Sequence, residues 1–130
     1  MKYKFLGTLK PDIAEYWNIS EHKNNPIVVF DDRIKHVIDK HLTDFKNQEN
    51  IILTYNNLDK IIKNPDYVFY NQKTNGLEYY KKSENNICAV VRISSGNILK
   101  VRSWYPANAN KINNRKSKEE KIINDKEQID

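Results

Sequence analysis

The spacing of apolar residues changes at Pro65, and this change constrains the fold more than any other feature of the chain. Before Pro65 the clearest pattern has the period of an α-helix, in segment 31–45. After Pro65 the apolar residues alternate with polar ones, as they do in β-strands. Helices followed by consecutive strands predict an α+β fold, with N-terminal helices packed on one face of a C-terminal sheet.

Short turn-rich connections separate the strands predicted after Pro65, which are 67–70, 77–82, 87–93 and 98–105. Strands joined by such short connections are typical of an antiparallel meander. The sequence therefore predicts a four-stranded antiparallel meander. The earlier part of the chain predicts short strands at 3–9 and 27–30 and a short helix at 58–63.

The length of 130 residues fits one domain, which we place at 1–110. Segment 111–130 is rich in charge and predicts a tail that is disordered or a marginal helix. The net charge of +5 favours polyanionic partners, nucleic acid above all. A single cysteine excludes an intramolecular disulfide and suits the cytoplasm, and no apolar run is long enough for a membrane span.

The helix predicted at 31–45 carries two of the three histidines, His36 and His41. At 100° per residue, His41 lies within the apolar stripe and His36 lies nearly opposite it. The two imidazoles are therefore expected in different environments. They either anchor acid–base chemistry or are ordinary helix histidines of a basic binding domain.

Alternation along the last two strands predicts that one sheet face is both basic and aromatic. Its members are Arg92, Lys100, Arg102 and Trp104, with Tyr80 and Lys82 as further candidates. Such a face can neutralise phosphates and stack bases. The alternative is a solvated outer face on which one tryptophan covers an edge.

The motifs of several enzyme classes are missing from the sequence. The chain has neither a cysteine pair nor a His-Glu-x-x-His motif, so no metal site or other cofactor is predicted. Its three glycines do not form a phosphate-binding loop. Phosphoryl transfer on RNA remains, because the ribose 2′-hydroxyl supplies the nucleophile and the protein needs only acid, base and cations.

The order of several segments resembles the phage-associated branch of the barnase–EndoU–colicin–RelE nuclease superfamily. The segments span residues 3 to 105 and are 5–9, 27–41, 58–68, the strand that ends at Arg92, and 101–105. The resemblance implies a barnase/EndoU/RelE-like fold and metal-independent RNA cleavage that leaves a cyclic phosphate. It also implies use as a toxin or phage effector.

Carried over residue by residue, the resemblance implies the catalytic residues His36, His41, Arg92 and Ser103. We expect substrate binding by Lys81, Lys82, Lys100, Arg102, Trp104 and Tyr105. The helix geometry opposes a joint role of both histidines on one phosphate, and the choice between them stays open.

The first hypothesis is therefore a metal-independent ribonuclease that acts on RNA, with tRNA as one candidate target. The alternative is a phage module that binds RNA or protein through the same basic sheet face without catalysis. A third hypothesis keeps the nuclease chemistry and adds an antidote or immunity protein as partner.

Overall fold

A six-stranded sheet forms the centre of the fold in the computed structural model, which describes residues 2–82, 86–94, 96–108, 110, 112–114 and 116. The strands are β1 (Tyr3–Thr8), β2 (Pro26–Phe30), β3 (Tyr67–Asn71), β4 (Gly76–Lys81), β5 (Ile87–Arg92) and β6 (Leu99–Pro106). Their order across the sheet is β1-β2-β6-β5-β4-β3. Strands β3 to β6 form an antiparallel meander, as predicted.

The prediction of a four-stranded sheet is wrong, because β1 and β2 belong to the same sheet. Strand β2 pairs in parallel with β6, through Ile27 opposite Leu99 and Val28 opposite Lys100. Strand β1 pairs antiparallel with β2. The apolar residues 27–29 are buried on both faces of the sheet, which is typical of an inner strand.

The helices are α1 (Pro11–Tyr16), α2 (Arg33–Phe45), α3 (Gln48–Asn56) and α4 (Leu58–Lys63), with a 3₁₀ turn at Ser20–His22. Helices α2 and α4 occupy segments in which the sequence predicts helices. Helix α3 was not predicted, because its apolar residues are consecutive and form no stripe. Its N-cap is Asn47, whose side-chain oxygen accepts from the Asn50 amide at 2.9 Å.

Two apolar clusters lie against the sheet. The larger unites helix residues with one sheet face, among them Val37, Leu58, Ile62, Leu77, Ala89 and Val101. The smaller contains Phe69, Tyr80, Cys88, Ala107 and Ile112. We call the two sheet faces the helix face and the groove face, respectively. Of the predicted tail at 111–130, Ile112 is buried in the smaller cluster, and residues beyond 116 lie outside the described part of the chain.

A β-bulge in β6 determines which side chains reach each face. Ser103 lies opposite Val90, whereas Val101 lies opposite Val91, so Arg102 is an extra residue in the ladder. One extra residue reverses the alternation beyond it. Trp104 therefore points to the helix face, where it is fully buried and donates its indole N–H to the Ile51 carbonyl at 3.2 Å.

The placement of Trp104 on the basic face is thus wrong. Tyr80 does lie on the groove face, but it is buried in the smaller cluster there. Both side chains are part of the core. Neither is available to stack on a base.

Helix α2 lies beside the second half of β6. Strand β2 pairs with β6 only at Leu99 and Lys100. Beyond that point Arg33 of α2 donates to the carbonyl oxygen of Arg102, from Nε at 2.9 Å and from Nη2 at 2.7 Å. Within the described ranges, no helix has the length and apolar composition needed to cross a bilayer.

Candidate functional site

A groove on the groove face brings three cationic residues together. Arg92 and Lys100 lie directly opposite each other on β5 and β6, and Arg102 follows two residues later. All three are exposed and line a cavity of about 480 Å³, together with Asn75, Ile93 and Ser94. Converging guanidinium and ammonium groups are the donors that bind phosphate oxygens best. The prediction that these three residues lie on the same face of the sheet is confirmed.

His36 lies within the electrostatic reach of this groove. Partial burial lowers the pKa of His36, and the nearby charges of Arg33, Lys40 and Arg102 lower that pKa further. A pKa below the ordinary value of about 6.5 leaves the imidazole neutral at physiological pH. In that state a ring nitrogen can accept a proton, which a general base must do.

His41 is engaged differently from His36. Its Nδ1 lies 2.9 Å from Asp44 Oδ2, and its ring stacks on Tyr105 with centroids 5.1 Å apart. Both histidines thus lie near β6, but at Arg102 in one case and at Tyr105 in the other. The carboxylate and the phenol ring hold the His41 imidazole in one orientation, which suits a supporting role.

A nuclease family matches most of this chain. The model described as phage-Barnase-EndoU-ColicinE5/D-RelE like nuclease3 covers residues 4–114. The chain belongs to this family. The resemblance found in the sequence is thereby confirmed, and the described strands and helices all lie within or at the edge of the matched region. Comparisons with curated proteins and with solved structures found no match.

Two lysines that the sequence assigned to substrate binding lie away from the cationic groove of this nuclease. Lys81 donates its Nζ to the Asn64 carbonyl at 2.8 Å, and Lys82 holds its ammonium 5.2 Å from the Tyr67 ring centroid. Both line a different cavity of about 610 Å³, next to α3 and α4. The structure therefore does not bring Lys81 or Lys82 together with Arg92, and substrate binding by these two lysines stays a prediction.

Ser103, the predicted catalytic hydroxyl, does not line the groove. It lies opposite Val90 on the groove face, and its Oγ is buried. Within the part of the chain that the structure describes, this oxygen has no hydrogen-bond partner. In this position the hydroxyl does not face the groove, and its catalytic role stays a prediction.

Glu78 is a buried carboxylate on the groove face that the sequence reasoning did not single out. It points to the groove face from β4, two residues after Gly76, which lies opposite Arg92. The residue is only 6% exposed. Tyr80 donates its hydroxyl to Glu78 Oε1 at 3.1 Å, and Asn71 donates its side-chain amide to Oε2 at 3.5 Å. A carboxylate in a strand of apolar and aromatic residues was the available sequence signal.

The tyrosines around Glu78 remain protonated. Burial and the neighbouring Cys88 raise the pKa of Tyr80 and the pKa of Tyr105 far above the ordinary value for a phenol. The negative charge of Glu78 acts in the same direction. Two neutral phenols beside a buried carboxylate can donate hydrogen bonds but cannot serve as bases. They connect the carboxylate with the ring of His41, which stacks on Tyr105.

The described ranges contain no cluster of metal-ligating side chains. No group of three or more His, Cys, Asp or Glu side chains is close enough together there to hold an ion.

Proposed function

We propose that this nuclease is a metal-independent ribonuclease that cleaves RNA through its 2′-hydroxyl and leaves a cyclic phosphate. One observation carries the proposal. Arg92, Lys100 and Arg102 line one groove, and the pKa of the neighbouring His36 is lowered so that its ring is a proton acceptor at neutral pH. Family membership supplies the nuclease class, and the groove supplies the groups that the RNA reaction needs.

In this reaction the scissile phosphate lies in the groove, with its non-bridging oxygens bound by Arg92 and Arg102. His36 takes the proton from the 2′-oxygen, which attacks phosphorus. The bond from phosphorus to the 5′-oxygen breaks, and the departing oxygen takes a proton from water in the open groove. The products are a 2′,3′-cyclic phosphate and a 5′-hydroxyl. The cations stabilise the charge of the five-coordinate intermediate.

His41 is a positioning residue in this proposal. It contacts Asp44 and Tyr105, and through Tyr105 it borders the buried polar group around Glu78. Its removal disturbs the packing of α2 against β6, on which the position of His36 depends.

Binding of RNA without cleavage is the second candidate function. The burial of Ser103 Oγ and of Glu78 favours it, because both groups are withdrawn from the groove. Under either function a loop of tRNA is one candidate ligand for the groove, and an acidic antidote protein that binds the same cations is one candidate partner.

The test uses the full chain and a labelled single-stranded RNA in EDTA. We expect cleavage with a cyclic phosphate end, and a loss of at least about a hundredfold in His36→Ala. A Lys23→Gln variant, at an exposed position, serves as the control. An RNA with a single 2′-deoxy position should resist cleavage at that position. Unchanged cleavage in His36→Ala, or cleavage of the deoxy position, would contradict the mechanism.

A further inference from the structure

Two aromatic side chains of β1, Tyr3 and Phe5, are exposed to solvent and do not belong to the core. Tyr3 is 65% and Phe5 is 55% exposed, whereas the next residue, Leu6, is fully buried on the helix face. Strand β1 is the first in the sheet order, so one of its edges has no partner strand among the described residues. Large apolar side chains on an edge strand favour aggregation and are usually avoided. Their presence points to a ligand.

The strand register places this aromatic surface in line with the cationic groove. Phe5 lies opposite Val28, Val28 opposite Lys100, and Lys100 opposite Arg92. Directly paired residues point to the same face of a sheet. Phe5 and Arg92 therefore lie in one row across four strands, about 14 Å apart at the usual strand spacing.

Phe30 and Lys100 connect the two regions. The Tyr3 and Phe30 rings are 5.8 Å apart between centroids, and Lys100 Nζ lies 5.4 Å from the Phe30 centroid. Lys100 thus contacts an aromatic ring and also lines the groove with Arg92. Contacts therefore link Tyr3 through Phe30 and Lys100 to the groove that Arg92 lines.

We propose that Tyr3, Phe5 and Phe30 form a stacking platform for single-stranded RNA whose backbone phosphate occupies the groove. This inference rests on the proposed function, and it adds the strandedness of the substrate and the direction of its path. Aromatic rings beside a cationic track are the elements that bind single strands, because every base has a face that can stack. In a duplex the base faces are already stacked and cannot reach the rings.

A protein strand added to the free edge of β1 is the competing occupant. The charge of the neighbouring surface favours RNA, because the row from Phe5 leads into Lys100 and Arg92 and no acidic residue lines the groove among the residues that the structure describes. A nucleic acid uses both the rings and the cations. An added strand would use the edge of β1 and leave the cations without a partner.

The experiment measures binding of a single-stranded RNA decamer and of the matching duplex to full-length His36→Ala protein in EDTA. In that background Phe5→Leu keeps an apolar side chain and removes the aromatic face. We expect the affinity for the single strand to fall about tenfold and the affinity for the duplex to change less than twofold. Tyr3→Leu should act in the same direction.

Tyr16→Leu is the matched control, because Tyr16 is also an exposed aromatic residue (41%) but lies on α1. It should bind the decamer as the His36→Ala protein does. Thermal unfolding of each variant verifies that the fold is kept. Equal affinity of Phe5→Leu and Tyr16→Leu for the decamer would overturn the platform. So would an equal loss for single strand and duplex.

The experiments distinguish a failure of the proposed ribonuclease activity from a failure of the stacking platform. If the wild-type chain binds RNA through Arg92 but does not cleave it, the ribonuclease fails while the platform is still tested by Phe5→Leu. If Phe5→Leu leaves RNA affinity unchanged and abolishes self-association in sedimentation, the surface binds protein and the platform is excluded.

Discussion

Arg33 of α2 donates two hydrogen bonds to the carbonyl oxygen of Arg102, from Nε at 2.9 Å and from Nη2 at 2.7 Å. The acceptor belongs to the bulged residue of β6, on an edge that β2 leaves free. This contact fixes the start of α2 against the strand that supplies Lys100 and Arg102 to the groove. It therefore determines where His36, one helical turn after Arg33, lies relative to the groove.

The first prediction concerns this contact. Arg33→Lys cannot form both bonds from one planar group. We expect the free energy of unfolding to fall by about 1 kcal/mol, and kcat/KM for RNA to fall roughly tenfold because His36 shifts. Chemical denaturation and initial rates measure the two effects. Lys35→Gln, at an exposed position on the same helix, should change neither quantity. Full activity of Arg33→Lys would show that the contact does not position His36.

The second prediction concerns the ionisation of His36. Burial lowers its pKa first, and Arg33, Lys40 and Arg102 contribute as cations. Lys40→Gln removes one positive charge, so the imidazolium becomes less unfavourable and the pKa of His36 rises. The base is active only when deprotonated, so the acid limb of the kcat/KM profile should move to higher pH.

A proton NMR titration of His36 measures this shift directly. Lys23→Gln is the control, because Lys23 does not contribute to the His36 shift. A downward shift in Lys40→Gln would refute the electrostatic explanation. An NMR shift without a change in the pH–rate profile would show that another group is the base.

How far the sequence could predict this site is illustrated by β6. Alternation along the strand correctly placed Lys100 and Arg102 in the same groove as Arg92. Alternation then placed Trp104 with them, which is wrong because the bulge at Arg102 adds one residue. A bulge depends on pairing with β5 and leaves no local pattern in the sequence.

The position of β1 in the sheet and the surroundings of Glu78 also depend on contacts that the sequence pattern does not show. Strand β2 was predicted, but its parallel pairing with β6 rests on two residue pairs between distant parts of the chain. Without that pairing, β1 has no place in the sheet and Phe5 cannot be aligned with Arg92. Glu78 was missed because alternation does not show that Tyr80 and Asn71 are its partners.

The third prediction tests whether Trp104 belongs to the core. Trp104→Phe removes the indole N–H and leaves the buried Ile51 carbonyl without that donor. We expect a loss of about 1–3 kcal/mol in the free energy of unfolding. Below the unfolding transition, RNA affinity in the His36→Ala background should stay unchanged. A loss of RNA affinity in a Trp104→Phe protein of unchanged stability would indicate that Trp104 contacts the RNA.

The fourth prediction tests whether the carboxylate of Glu78, and not His36, acts as the base. In Glu78→Gln the amide oxygen can still accept from Tyr80, but the negative charge is lost. Because His36 carries the proton in the proposed reaction, we expect kcat to fall less than about tenfold, against at least about a hundredfold in His36→Ala. Single-turnover rates measure both variants. A loss in Glu78→Gln as large as that in His36→Ala would assign the base to the carboxylate.

The fifth prediction uses salt to count the phosphates that the groove binds. Arg92, Lys100 and Arg102 each release a counterion when they neutralise a phosphate of a single strand, and each adds roughly 0.7 to the slope of log Kd against log salt. Arg92→Gln should therefore lower the slope by roughly 0.7 as well as weaken binding. Binding titrations of His36→Ala protein between low and physiological salt measure it. Lys23→Gln changes the net charge equally but lies outside the groove, so its slope should equal that of the parent. Equal slopes in the Arg92→Gln and Lys23→Gln proteins would mean that net charge, and not the groove, attracts the RNA.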